Sequence, residues 1–131
     1  MREILFRGKR ADNGEWIKGC LFVDDKGEKY QIMTGYYDCK ILWDVVPETV
    51  GQYTRFSDDH LKRIFEGDIC RAKNMLHNGK EELFTVEWYE NGFYLVDDTG
   101  TPWHLHALEY IENIGNIHDN PELLGGHNHQ S

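Results

Sequence analysis

Positive charge is short in this sequence. Its 131 residues carry 14 Lys and Arg against 23 Asp and Glu, a formal net charge of −9. Holding DNA without sequence preference requires a basic face, because phosphate neutralisation supplies most of that affinity. The overall balance argues against such a role. The cations are also unevenly spread. Residues 1–18 hold five (Arg2, Arg7, Lys9, Arg10, Lys18) against three acids, and the remainder holds nine against twenty. A small basic N-terminal patch on an acidic body is the form that nucleic-acid binding would take here. A solvated surface accounts for the same charges.

Cysteine is scarce as well. Cys20, Cys39 and Cys70 are an odd number, widely spaced, with no Cys-x-x-Cys. That pattern predicts reduced thiols in a cytoplasmic protein. No apolar run approaches the roughly 20 residues that cross a bilayer. Met1-Arg2-Glu3-Ile4 enters a strand-like pattern and not a leader peptide, so no membrane role is expected. Also missing are a phosphate-cradling Gly-x-x-x-x-Gly-Lys, a Gly-x-Ser-x-Gly and a Cys/His pairing that resembles a nucleophile and its base. The sequence therefore predicts no catalytic residues and no cofactor. An enzyme would need a cleft with strongly perturbed titratable groups, and nothing in the sequence predicts one.

What is present is a globular composition. Apolar residues make up 40% and aromatics 13%, enough for a real core at this length. The chain is organised around Val46-Pro47-Glu48-Thr49-Val50-Gly51-Gln52-Tyr53-Thr54, with an echo in Ile64-Phe65-Glu66-Gly67-Asp68-Ile69. Pro47 fixes its own φ and holds Val46 extended. Pro-Glu-Thr predicts a single helical turn with Pro first and an acid near its positive end. Gly51 is expected to permit a reversal. Before this hub, short strands alternate with turns at Asp12-Asn13-Gly14 and Asp25-Lys26-Gly27, a β meander over residues 1–45. After it, Phe84, Val86 and Trp88 alternate with Thr85, Glu87 and Tyr89. Asn91-Gly92 then gives the strongest hairpin signal in the chain. Four or five short strands over residues 69–118 match a small SH3-like barrel. Residues 125–131 read as a polar, mobile tail.

The order and spacing of several short motifs carry a family resemblance. They are Arg2-Glu3-Ile4-Leu5-Phe6-Arg7-Gly8-Lys9-Arg10 with Asp12-Asn13-Gly14-Glu15-Trp16 and Gly19, the Pro47–Thr54 stretch, and Phe65-Glu66-Gly67-Asp68-Ile69. Ile114-Gly115-Asn116-Ile117 and Asn120-Pro121-Glu122-Leu123-Leu124 complete the set. Together they resemble the YopX-like proteins of phages and prophages across residues 1–124, read as one unit with a hub at 46–68. The resemblance implies a mainly β fold, with a barrel similar to the SH3 type after the hub, and a phage or prophage setting. It implies no reaction, because the family has no firmly assigned activity. Residues Arg55–Arg63 depart from the family pattern, which usually places an Asn-Gly hairpin there. The departure predicts a short helical turn capped by Ser57 or Asp58 in place of a tight hairpin.

Few residues invite chemistry. His104 and His106 are two apart on an expected strand, so both would share one face, as two of a metal's ligands would. No further ligand has suitable spacing, so no metal is assigned. His127-Asn128-His129 spells a nuclease-like string in a polar tail, without the context that gives it meaning. Asp58-Asp59-His60 reads as a solvent-facing loop. Asp24-Asp25, Glu81-Glu82 and Asp97-Asp98 read as turn residues. The tentative binding residues are Glu48, Thr49, Gln52 and Tyr53, polar groups close to a bend. The alternative is that they satisfy each other and the turn's own backbone. Trp16, Trp88 and Phe93 are expected in the core, with Tyr36, Tyr37, Tyr89 and Tyr94 partly outward.

Two function classes follow. One is a non-enzymatic accessory factor that contacts a host or phage protein, with self-association through strand edges as part of that picture. A DNA-mimicking inhibitor is a variant of it. The other is a barrel that binds single-stranded nucleic acid through outward aromatics with Arg55, Arg63, Arg71 and Lys73.

Overall fold

A computed structural model describes residues 4–35 and 39–128. Tyr36, Tyr37, Asp38 and the last three residues lie outside the described residues. The chain is mainly β, with two antiparallel sheets, and divides into Met1–Tyr53 and Thr54–Ser131.

In the first unit β1 (Phe6–Lys9), β2 (Trp16–Val23), β3 (Tyr30–Thr34) and β4 (Ile41–Asp44) lie side by side in chain order. This is the expected meander. Leu21, Ile32 and Trp43 stand directly opposite one another, so they share one sheet face. Ile32 and Val45 are the buried centre of that face. Gly8 comes next to them; a Cβ on it would sit 3.2 Å from Ile32 Cδ1 and 3.3 Å from Val45 Cβ. The first turn differs from expectation. Gly14, at φ 75°, is the one left-handed residue in it, and the loop is closed by Arg10 N–H donating to Glu15 O. Arg10 also bridges to Val45, and Ala11 N–H donates to Asp44 O, so the end of β4 curls back onto the chain after β1.

The hub forms the expected single turn, a 3-10 helix at Pro47–Thr49 with Pro at its start. The reversal does not use Gly51, however. Val46 and Val50 are both extended, at φ −74° and −70°, so the turn itself makes the bend. Gly51 instead opens β5 (Gly51–Ser57) and lies buried opposite Arg7. β5 starts in the first unit and ends in the second.

The second unit continues with β6 (Arg63–Phe65), β7 (Asp68–Asn74), β8 (Lys80–Tyr89), β9 (Gly92–Val96), β10 (Pro102–Trp103) and β11 (Leu108–Asn116). Its five-stranded sheet has the order β10-β9-β8-β7-β11 and stays open. The described strands form no closed barrel, where the strand pattern suggested a small SH3-like one. β10 is only two residues long, and its Pro102 has no N–H to donate. The segment after β5 meets β11 at its middle, where Asp59 N–H donates to Ile111 O and Asn113 N–H donates to Asp58. One face of the sheet carries the core: Cys70, Ala72, Phe84, Val86, Leu95 and Leu108, joined by Ile64 and Ile111, with Trp103 and Leu105 packed against them. Burial, with the nearby Asp68 and Asp58 charges, pushes the Cys70 thiol up to about 12, so it is an inert filler.

Two further expectations are corrected. Residues 125–128 are not a structureless tail, since α1 spans Glu122–Asn128. Pro121 and Glu122 suit a helix start, and Leu124 N–H donates to Pro121 O. Glu81 and Glu82 are strand residues of β8, not turn residues.

Candidate interaction site

The tentative hub residues occupy separate positions. Thr49 is buried, and its hydroxyl accepts from Lys9 N–H at 2.9 Å and donates to Val46 O at 2.6 Å. It holds the turn's backbone to β1. Glu48 is exposed. Gln52 stands opposite Phe6, and Tyr53 N–H donates to Leu5 O. As neighbours on a strand, the side chains of Gln52 and Tyr53 face opposite sides.

Asp58 is the largest departure among the polar residues. It is only 5% exposed, where a solvent-facing loop was expected. One carboxylate oxygen accepts from His60 N–H at 2.9 Å and Lys62 N–H at 2.8 Å, and the other from Asn113 N–H at 2.9 Å. Leu61, at φ 67°, completes the loop. The segment after β5 is therefore a hairpin held by Asp58, not a helical turn. Asn113 extends the network, donating to Arg63 O and to Asp68 Oδ2, which also accepts from Phe65 N–H. Sequence reading missed this cluster because Asp58 and Asn113 are 55 residues apart.

A groove of about 430 Å³ lies on the other face of the five-stranded sheet. Thr85, Val96 and Leu124 of α1 line it, with Arg71, Lys80 and Asp97 among its charged groups. Arg71 is held by Glu112 at 2.6 Å and Glu81 at 3.7 Å. Asp97 binds its own turn, accepting from Thr99 and Thr101 N–H, the Thr99 hydroxyl and Trp103 Nε1. Desolvation alone would raise its pKa, but these donors outweigh it and hold the carboxyl down at about 2. Burial likewise acts to raise Asp58, and the Asn113, Lys62 and His60 amides reverse it, leaving a net lowering.

Both depressed carboxyls stabilise the fold above their unfolded values near 3.8, and that contribution is lost as pH falls through the folded values. The urea midpoint should therefore be insensitive to these two groups above about pH 5 and fall between about pH 4 and 2. Asp97→Asn should flatten part of that fall, which urea titrations at stepped pH will read.

The other chemical candidates disperse. His104 precedes a 3-10 turn at Leu105–Ala107 that contains His106, so the two do not share a strand face. The strand expected there ends at Trp103, whose indole is drawn to Asp97. His127 and Asn128 close α1, and His129 lies outside the described residues. Among the described residues no group of three His, Cys, Asp or Glu is placed to hold a metal ion. Arg7 and Lys9 sit over the half-buried Trp16 ring, at 4.6 and 5.4 Å from its centre.

The most distinctive surface is the β8–β9 ribbon. The β7–β8 register ends at Ile69 opposite Thr85, Gly67 N–H still donates to Val86 O, and beyond Val86 β8 runs on to Tyr89 paired with β9. Trp88 has the parity of the core residues Phe84 and Val86 but lies past the end of the core. It is 54% exposed, a correction to its expected burial. Its ring meets Phe93 edge to face, with centres 5.0 Å apart. On the other side Tyr89 meets Tyr94 at 6.1 Å, and Tyr94 meets His104 at 4.7 Å. Tyr94 OH donates to Asn91 Oδ1 at 3.0 Å, tying the strand to its turn. That turn sits one residue earlier than Asn91-Gly92 predicts: Tyr89 pairs with Gly92, and Glu90 takes φ 55°.

These features define a small mainly β protein whose second unit presents an aromatic ribbon. The chain belongs to the YopX family: the model described as "YopX protein" matches residues 5–125. It is similar to the crystal structure of protein EF1440 from Enterococcus faecalis, with a TM-score of 0.60 and 20% identity over 95% of this chain and 99% of that one. At that identity the likeness carries the fold alone. No curated protein matches the chain. Among the described residues no helix is long and apolar enough to cross a membrane.

Proposed function

We propose that the protein is a non-enzymatic interaction module whose β8–β9 ribbon anchors a protein partner. The observation that carries this reading is Trp88, exposed at the tip of a two-stranded ribbon yet pre-positioned against Phe93. A rigid aromatic held in place loses little entropy on binding, which is why Trp and Tyr dominate interface hot spots. Glu87 and Glu90 flank it, both exposed. The matching partner surface is an apolar pocket with a basic rim. The unpaired thiols of Cys20 and Cys39, both exposed, fit work in the reducing cytoplasm of a host cell, and the family fits a phage or prophage accessory factor.

Nucleic acid is the weaker reading. Of the cations that would serve it, Arg71 is engaged by two glutamates, and the sheet face it shares with Lys73 also carries Glu81 and Glu112. The test is capture from host lysate at low and high salt, with and without nuclease, comparing the native chain with Trp88→Ala. Gln52→Ala and Tyr53→Ala keep the hub in the comparison. A protein partner should persist through nuclease and weaken about thirtyfold in Trp88→Ala, the equivalent of about 2 kcal/mol. The variant's melting temperature should stay near that of the native chain, because Trp88 lies beyond the core. Recovery abolished by nuclease, or indifferent to Trp88, would overturn the proposal.

A further inference from the structure

We propose that β4 is a dimerisation strand, pairing antiparallel with β4 of a second copy about a two-fold axis at Ile41. The inference stands apart from the β8–β9 ribbon, since it concerns the first unit alone. The sheet edges are protected unequally. β11 is met by the Asp58 loop at Ile111 and Asn113, β10 is two residues with a proline, and β6 is held by Asp68 and Asn113. Among the described residues β4 has a strand neighbour on one side only. Ile41-Leu42-Trp43 contains no charge and no proline, and charges flank it only at Lys40 and Asp44. Ile41 and Leu42 are 50% and 51% exposed.

The hydrogen-bonding parity fixes which groups face outward. Val45 N–H donates to Tyr30 O, so the odd-numbered residues of this strand turn their backbone groups toward β3. Ala11 N–H donates to Asp44 O, so the even-numbered residues turn theirs to the outside. Ala11 also marks where the free edge stops. The open stretch is thus 39–43, symmetric about Ile41. A second copy laid antiparallel on it sets Lys40 opposite Leu42 of the partner and Leu42 opposite the partner's Lys40. Each pair exchanges two backbone hydrogen bonds, and Ile41 meets its own copy in the close, non-hydrogen-bonded position.

Charge agrees with this register. In an acidic protein, the open stretch holds one charged residue, Lys40, and Asp44 follows just beyond it. Lys40 and Asp44 are both exposed. They share a strand face, and the two-fold places Lys40 of one copy diagonal to Asp44 of the other, within reach of a long side chain. Among the described residues this is the one such edge, and pairing about a two-fold closes a dimer and propagates no fibre. Five residues a side bury less than the roughly 1,600 Å² of a standard interface, so the dimer is weak and concentration-dependent.

Sedimentation equilibrium over a wide concentration range tests the dimer, and cysteine pairing tests the register. In a Cys20→Ser/Cys39→Ser background, Ile41→Cys should form a covalent dimer on mild oxidation, and Leu42→Cys should form at least tenfold less. Leu42→Pro removes only an outward N–H, so it should leave the β3 pairing intact and lower the association constant at least tenfold. A chain that stays monomeric at all concentrations and gives no Ile41→Cys dimer would overturn the proposal. Cross-linking that favours Leu42→Cys would overturn the register.

Discussion

Asp58→Ala should cost about 4 kcal/mol of folding stability, far more than a loop carboxylate normally commands. The side chain accepts three backbone N–H bonds, from His60, Lys62 and Asn113. Alanine leaves all three donors without that acceptor, and each unsatisfied buried donor costs about 1–3 kcal/mol. The amides of His60 and Lys62 lie in a loop, where water replaces part of what is lost. Asn113 N–H is buried and has no such recourse. Its loss also loosens the contact that brings the Asp58 loop onto β11, where Asp59 N–H meets Ile111 O. Ile111 belongs to the core, so the damage reaches beyond the loop. In urea the midpoint should fall by about 2 M at an ordinary m-value. Asp58→Asn should cost about half as much, because one carbonyl oxygen still accepts while the amide nitrogen opposes the remaining N–H. Asp59→Ala, exposed one residue on, should stay within about 0.5 kcal/mol. Equal effects at Asp58 and Asp59 would mean that the carboxylate does not organise the loop.

The contrast between these neighbours shows where sequence reading reaches its limit. Local chemistry was legible. Pro47-Glu48-Thr49 announces its turn, Asp24 and Asp97 cap theirs, and the meander of β1 to β4 follows from regularly spaced turn residues. Parity was legible too, but extent was not. Trp88 alternates correctly with Phe84 and Val86, and nothing in that pattern says that the β7–β8 register ends at Thr85, with Gly67 bonding Val86 just beyond it, and that Trp88 is 54% exposed. Barrel closure failed for the same reason. Short bent strands satisfy the pattern of a small barrel, but whether the edges meet depends on what else reaches them. Here the loop carrying Asp58 and Asp59 meets β11 at Ile111 and Asn113. The hub residues Glu48, Thr49, Gln52 and Tyr53 show what chain proximity leaves open. Clustering along the chain suggested a site, whereas strand alternation sends Gln52 and Tyr53 to opposite sides and the turn's backbone claims Thr49.

Gly19→Ala should be among the most disruptive single-methyl changes in the first unit, and at Gly19 the cause is a backbone clash without a left-handed φ. A Cβ on Gly19 would lie 2.0 Å from Met33 O and 3.0 Å from Met33 C. Both are backbone atoms of the neighbouring strand, so no side-chain rotation relieves the overlap. Ile32 Cγ2, at 3.1 Å, closes the remaining direction, and Ile32 is the fully buried centre of this unit. The strands must part or slip, and a slip by one residue would turn Leu21 and Ile32 out of the core. The expected loss is about 3 kcal/mol or more, at the upper end of overpacking changes. Gly27→Ala separates this effect from simple backbone strain. Gly27 has φ +70° but nothing within 4 Å of an added Cβ, so its cost should stay near 1 kcal/mol. Hydrogen exchange will locate the damage: amides of β2 and β3 should lose protection in Gly19→Ala while those of β7 and β8 keep theirs. The effect should also reach β4, whose inner side depends on β3. If β4 is the dimerisation strand, Gly19→Ala should weaken self-association without altering a single residue of the paired edge. A stable variant that still dimerises would show that Gly19 does not closely approach β3.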